Sequence, residues 1–471
     1  MPSRTAAITL IKGDKIDDNT DYRDALPVNM YAVPREVLGA KGYMLCYPGL
    51  TSFGIGSGVD RGGIYNERFG AHYRVSGTKL IEVSSAGIIT ELGDVSGTEQ
   101  IALPFSFNTQ CIIADGKMFL YSPGGGFSEV VDGDLGNPID GVWIDGYYFL
   151  TDGEYIYHTD IANENAIDPL KFATAEFSPD PTLGVGKTTD NKVMVFGRYS
   201  IEYFANTANV NFAFSRIETR AQYIGIVATH AKCRVGNKWF IVGGSRYEAV
   251  GVHIVGAGQF TKISTREIDK IIAKYSETEL SDIRMECRME DDIVFIVIHL
   301  PDYTLCYNYT VGSVLGNSVA WSYLKSQVLT HSYYNGINGV FDPRISKWIY
   351  GDRASTTIGK LDNTKFTQYD VLMEWVLYTP IIQLDSASID RVEVITVPGH
   401  TTALDGTVAF SLTTDGINYG TETHIMYGEP SEYNQRFIIN RIGYVRDKIG
   451  FKFRGATTSR MAFGLMKVTY G

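Results

Sequence analysis

The sequence is poor in the features that most directly announce a function. Its 471 residues include five cysteines, Cys46, Cys111, Cys233, Cys287 and Cys306, an odd number with no C-x-x-C pair. That argues against a disulfide framework and a local zinc-binding pair, and fits reduced thiols in a protein made in a reducing cytoplasm. No window approaches the ~18 consecutive apolar residues of a membrane span. Near the start, Lys12, Asp14 and Lys15 interrupt any stretch that would serve as a secretory leader. Positive charge is short as well: 42 Lys and Arg stand against 53 Asp and Glu, a formal net charge of −11. A protein built to wrap nucleic acid has the opposite balance.

What is present points to strands. Charged residues make up only 20% of the chain, while Gly reaches 49 and Tyr 30 within a 44% hydrophobic composition. Many short strands joined by tight turns have this composition, and intrinsic disorder and coiled coil do not.

An internal repeat organises most of the chain. A turn residue, an apolar strand, a second turn and a second strand recur in copies that begin at Ser76, Asp115, Asp145, Asp190, Gly236, Glu290 and, more weakly, Arg344. Asp-Gly, Ser-Gly, Asp-Asn and Gly-Asn tolerate the positive φ of hairpin turns. Runs such as Trp239 to Val242 and Val294 to Val297 are apolar on both faces, as strands between two layers must be. Units spaced about 30 to 55 residues apart fit the blades of a β-propeller, and seven copies predict about seven blades.

Two stretches break the rhythm. Ser264 to Ser281 places Ile268, Ile271, Ile272 and Tyr275 at helical spacing after a Ser264 or Thr265 cap, which predicts one amphipathic helix of about three turns. The first 65 residues carry Pro27, Pro34 and Pro48 with no sustained period, and read as an extended N-terminal arm. After Pro380 the strands alternate with period two, as in Val408, Phe410 and Leu412 against Ala409 and Ser411. The expected fold is therefore all-β: an arm with first strands over 1–65, a β-propeller over 66–378, and a C-terminal β-sandwich or jelly roll over 379–471.

Sequence patterns that carry catalysis are nearly absent. Gly186-Lys187-Thr188 ends like a phosphate-binding loop, but Pro181 stands where that pattern needs Gly and no helix follows, so a turn between blades is expected. Gly54, Gly56 and Gly58 lack the strand and helix of a dinucleotide site and read as a flexible connector. The eight histidines never fall at i, i+2 or i, i+4 from one another, and no G-x-S-x-G elbow occurs. Ser411 to Gly420, SLTTDGINYG, resembles the Asp-box hairpin of sialidases, a pinned structural turn. Basic residues cluster once, in Arg441, Arg446, Lys448, Lys452 and Arg454. Lys452 and Arg454 share the face opposite Ile449, Phe451 and Phe453, which reads as a solvated face, or else as a contact with DNA or an acidic partner surface.

Specific strings add what periodicity does not. LPVNMYAVPREVL from Leu26 and GYMLCYPGL from Gly42 are followed by SIEYF at Ser200, VGAGQF at Val255, REIDKII at Arg266 and IHLPDYTLCY at Ile298. TTDGINYG from Thr413 and RIGYVRDKIGFKFR from Arg441 complete the set, while residues 100 to 180 contribute no string. The set resembles the tail hub family of short-tailed phages of enteric bacteria, also called packaged DNA stabilization proteins. The resemblance implies a structural virion protein of the tail, assembled in the host cytoplasm, with no catalytic residue, cofactor or metal to carry over. It implies a homo-oligomer, a hexameric ring below the portal and its tail adaptor ring. Such a ring extends the DNA channel, keeps packaged DNA in the head, seats the tail needle and tailspikes, and conducts double-stranded DNA during ejection. With DNA as cargo, the acidic balance predicts an acidic or mixed channel wall, with basic residues kept for subunit contacts. The N-terminal arm is then expected to contact neighbouring subunits. The competing reading is a propeller glycosidase or glycan-binding protein, which calls for Arg, Glu or His converging at the channel mouth from several blades. A tail protein that itself recognises the host surface is a third.

Overall fold

A computed structural model describes residues 3–16, 21–36, 39–161, 163–328, 333–401 and 406–471. Val37 and Leu38 of the first resemblance string, and His331, lie outside these described residues.

The hairpin turns read from the sequence are formed as their residues demand. Asp115 and Gly116 both take positive φ, at 52° and 67°, and join Gln110–Ala114 to Lys117–Ser122. Asp291 and Asp292, at 46° and 63°, do the same with no glycine, at some cost in backbone strain. Seven antiparallel sheets follow one another. Blade 1 contains Asp60–Asn66, Ala71–Ser76, Lys79–Val83 and Ile89–Asp94. Blade 2 adds Gly126–Glu129 to the pair just named, and blade 3 runs from Asp140–Ile144 to Asn163–Thr174. Blade 4 runs from Thr182–Lys187 to Phe214–Arg216, and blade 5 from Gly225–Ile226 and Lys232–Val235 to Gln259–Lys262. Blade 6 contains Arg284–Glu290, Ile293–His299, Thr304–Asn308 and Trp321–Leu324.

Blade 7 closes the ring. Its strands Gly336–Asp342, Lys347–Asp352 and Thr357–Asp362 are followed in the sheet by Gly49–Ile55, taken from the start of the chain, with Thr357 opposite Ile55 and Asp362 opposite Gly49. Most of the remaining strands form a two-sheet sandwich. One sheet is ordered Met30–Val33, Tyr43–Cys46, Ala462–Tyr470, Ala387–Thr396, Phe437–Val445, and Arg4–Thr9 also pairs with Ala462–Tyr470. The other is ordered Glu374–Tyr378, Lys448–Ala456, Thr407–Thr413, Thr423–Met426. Between them lie Val392, Val408, Phe410, Ile449, Phe451, Phe453 and Phe463, all buried.

Four expectations are corrected. The segment read as an arm is strand-paired within the chain: Arg4–Thr9, Met30–Val33 and Tyr43–Cys46 join the sandwich and Gly49–Ile55 joins blade 7. Short strands broken by proline show no local period, and apart from the pairing of Met30–Val33 with Tyr43–Cys46 their partners lie hundreds of residues away. The first blade begins at Asp60, inside that segment, and Glu374–Tyr378 already pairs in the sandwich, so the second boundary falls before 374 instead of at 378. The single expected helix is two, Arg266–Ile272 and Glu277–Leu280, because Ser276 starts a new capping box with Glu279.

Candidate functional site

Three places gather the residues singled out by sequence: the propeller axis, the junction of the two domains, and the basic strand.

Innermost strands approach the axis, and small residues let them do so. A Cβ on Gly186 would lie 2.5 Å from Trp239. The stretch expected as a turn between blades, with Gly186 and Lys187, is therefore the inner strand of blade 4. Gly54 likewise belongs to the strand that closes blade 7. On the axis lies a cavity of about 480 Å³ bordered by Asp140, His230, Lys232, Arg284, Glu286 and Asn338 among others. Its polar groups tie blade to blade. Lys232 of blade 5 reaches Asp140 of blade 3 at 2.7 Å, and the same carboxylate accepts Val185 N of blade 4 at 2.8 Å. Arg284 of blade 6 donates to His230 Nδ1 at 2.6 Å, and Glu286 accepts Gly339 N of blade 7 at 2.7 Å. Burial, reinforced by Arg284, pushes the His230 pKa well below its usual value, so the ring stays a neutral acceptor.

The tie continues across the closing seam. Arg74 of blade 1 grips Asp60 through two bonds of 2.7 and 2.9 Å and donates to Asn338 O of blade 7 at 2.9 Å. Asn338 Nδ2 returns a bond of 2.8 Å to Asp60. His72, fully buried, stands 3.6 Å from Asp342 across the same seam, and burial lowers its pKa to about 4. The Arg, Glu and His convergence that a propeller enzyme calls for is thus present in residue type, but each of these groups is engaged in holding blades together. Among the described residues no group of three or more His, Cys, Asp or Glu is placed to hold a metal ion.

Several of the resemblance strings meet at the domain junction. Val28 exchanges backbone hydrogen bonds of 2.9 and 3.1 Å with Val376 of the sandwich, while Pro27 O accepts Tyr323 N of blade 6 at 2.8 Å. Asn29 is buried with φ 48°, a conformation that Asn tolerates. Its amide nitrogen donates to Lys325 O and to Glu374 O, both at 2.7 Å, and its oxygen accepts Lys325 N at 2.9 Å. One side chain thus joins propeller to sandwich. Nearby, Asn308 donates to Ala32 O at 3.0 Å, and the buried Arg288 lies 4.5 Å from the Tyr47 ring centre and 4.8 Å from that of Phe295.

The Asp-box-like hairpin is a pinned turn at this junction. Asp415 accepts Ile417 N, Asn418 N and the Thr413 hydroxyl, each at 2.8 Å, and these bonds hold its carboxyl well below the usual range. Gly416 O accepts Ile16 N at 3.0 Å, and a Cβ on Gly416, which has φ 82°, would meet Ile16 at 2.8 Å. Lys15 beside it pairs with Glu267 of the first helix at 2.9 Å.

The basic cluster is divided. Lys452 and Arg454 border a cavity of about 500 Å³ between blade 6, the N-terminal segment and the sandwich, and both are half-buried. Arg454 pairs with Glu422 at 2.5 Å and Glu374 at 3.2 Å, and Lys452 with Glu422 at 3.4 Å. Arg441 and Arg446 are exposed, on and just after the edge strand Phe437–Val445 of the other sheet, and Lys448 is half-buried. Sequence reasoning missed the acidic partners because Glu374 and Glu422 lie 80 and 32 residues from Arg454. The axial network was missed for the same reason.

Comparison with known proteins agrees with this architecture. The profile described as "Bacteriophage P22 Gp10, beta-propeller" matches residues 6–366, and "Bacteriophage P22 Gp10, beta-sandwich" matches residues 374–471. The tail hub protein gp10 of Salmonella phage P22 is 32% identical over 462 residues, 94% of each chain. Among solved structures, the N-terminal domain of Nup159 aligns with a TM-score of 0.42, 10% identity and coverage of 72% of this chain and 98% of that one. A virginiamycin B lyase from Staphylococcus aureus gives 0.40, 10%, 76% and 99%. Similarity at that level carries no argument about activity.

Proposed function

The chain belongs to the phage P22 Gp10 family of tail hub proteins, structural components of the virion tail, and from that premise we propose that it is the ring subunit that closes the DNA-filled head and conducts the genome outward. In this reading six copies assemble beneath the portal and its adaptor ring, retain packaged DNA, seat the tail needle and tailspikes, and open a path at ejection. The supporting observation is the match of both domains in order along one chain, with a relative named as a tail hub protein.

The axis refines how such a ring would work. A double helix, whose major groove alone is about 12 Å wide, does not fit a cavity of about 480 Å³ crossed by Lys232–Asp140 and Arg284–His230 contacts. The conduit then runs between subunits, each propeller serving as a solid wall element. An acidic or mixed wall retards DNA little, because the chain's net charge of −11 offers few free cations to phosphate. Retention is steric. Arg441 and Arg446, exposed on the sandwich edge, are assigned to an acidic partner surface. The test is to mix the purified protein with adaptor-bearing, DNA-filled heads. Nuclease-resistant DNA retained only when the protein is added supports the reading, and loss of DNA at the same rate with and without it overturns the reading.

A further inference from the structure

Cys233 and Cys287 lie on the innermost strands of blades 5 and 6, and both border the axial cavity. The two strands pack against each other, and both side chains open onto that cavity. Cys287 Sγ also lies 3.2 Å from the carbonyl oxygen of Arg234, the residue next to Cys233. The two strands belong to different sheets, so the cysteines stand on either side of a seam that no backbone ladder bridges. Cys46, Cys111 and Cys306 are buried, whereas Cys287 is half-buried.

We propose that Cys233 and Cys287 are a peroxide-responsive thiol pair that closes to a disulfide between blades 5 and 6. Contact with the Cys233 thiol holds the Cys287 pKa below its usual value against the opposing effect of burial, whereas burial pushes Cys233 up. Cys287 is therefore the attacking sulfur and Cys233 the resolving one. The Cys287 thiolate attacks a peroxide oxygen: an S–O bond forms, the O–O bond breaks, and the departing hydroxide takes a proton to become water. Cys287 is oxidised to a sulfenic acid and the peroxide is reduced. The Cys233 sulfur then displaces the sulfenic oxygen, forming S–S and breaking S–O. That hydroxide leaves with the Cys233 proton as a second water. The axial cavity admits an oxidant as small as hydrogen peroxide. The product is a covalent staple at a seam otherwise held by side-chain contacts, and it constrains the unfolded chain.

The experiment treats the full-length protein with hydrogen peroxide under native conditions, quenches it, denatures it, alkylates it and maps the peptides. The expected result is a fall in alkylatable thiols from the five in the sequence to three. A Cys233–Cys287 linked peptide accompanies it and a reductant removes that link. In Cys233→Ser, Cys287 is then expected as a sulfenic acid captured by a dione probe. Five free thiols after treatment, a sulfinic Cys287 beside an alkylatable Cys233, or a link between chains would overturn the proposal. Because the decisive map is made on the unmodified protein, it does not depend on the variant folding.

Discussion

Two blade seams of one propeller are built from different chemistry. Between blades 3 and 4, Ile144, Phe149 and Ile156 pack on Val185, Val193, Val195 and Phe204, and Phe149 meets Phe214 edge-on at 5.0 Å. Between blades 7 and 1, where the chain closes on itself, the apolar cluster shrinks to Ile81, Val83, Ile349 and Ile358. Beside it run the buried Arg74–Asp60–Asn338 network, the His72–Asp342 contact and a 2.7 Å bond from Arg344 to Val83 O. An apolar seam tolerates many packings of similar volume, whereas a buried charge network is stable only when every partner is in place. The charged seam is thus suited to specifying which ends meet, and the apolar seam to supplying bulk stability.

Breaking the charged seam is expected to cost most. Arg74→Ala leaves Asp60 buried without its cation and should destabilise the protein by about 3–5 kcal/mol in denaturant titration. Replacing both partners by apolar residues, Arg74→Met with Asp60→Leu, should recover most of that loss, with misassembled species appearing by size-exclusion chromatography as specificity falls. Acid should separate the seams next. The folded His72 pKa of about 4 lies below its unfolded value of about 6.5, so its contribution is fully present above pH 6.5 and is lost as the pH falls through 4. At about 1.4 kcal/mol per pH unit this amounts to roughly 3 kcal/mol. The stability difference between wild type and His72→Asn should therefore narrow or reverse over that window. An unchanged difference would remove His72 from the account.

A smaller effect is expected at the domain junction. Asn29→Ala strips three hydrogen bonds from buried backbone groups and should cost about 2 kcal/mol. Thermal unfolding should then split into separate propeller and sandwich transitions. Smallest is Ile144→Val in the apolar seam, at about 1 kcal/mol and independent of pH between 4 and 7. A pH-dependent loss at Ile144 would erase the distinction between the seams.

The same contrast explains what could be read from the sequence. All seven blades announce themselves, the seventh more weakly, through hairpins whose two strands are neighbours in the chain, and Asp-Gly turns mark them even between residues 100 and 180, where no family string helps. The closing strand Gly49–Ile55 does not, because its partner Thr357–Asp362 lies about 300 residues away and only tertiary packing reveals it. Nor do the ion pairs of Lys452 and Arg454, which alternate correctly with Phe451 and Phe453 yet are half-buried at a cavity beside the propeller and paired with Glu374 and Glu422. The break in the helix was legible in principle, since Ser276 and Glu279 stand at capping-box spacing. Asn29 was visible only as a letter in a resemblance string, and its two-domain grip follows from where Lys325 and Glu374 are brought.

The central claim is that the conduit lies between subunits, with each propeller closed on its own axis. A reconstruction of the assembled ring with DNA in transit tests it directly. The account predicts duplex density on the ring's symmetry axis, with Lys232–Asp140 and Arg284–His230 intact inside every propeller. Duplex density threading a propeller axis, with those contacts broken, would contradict it.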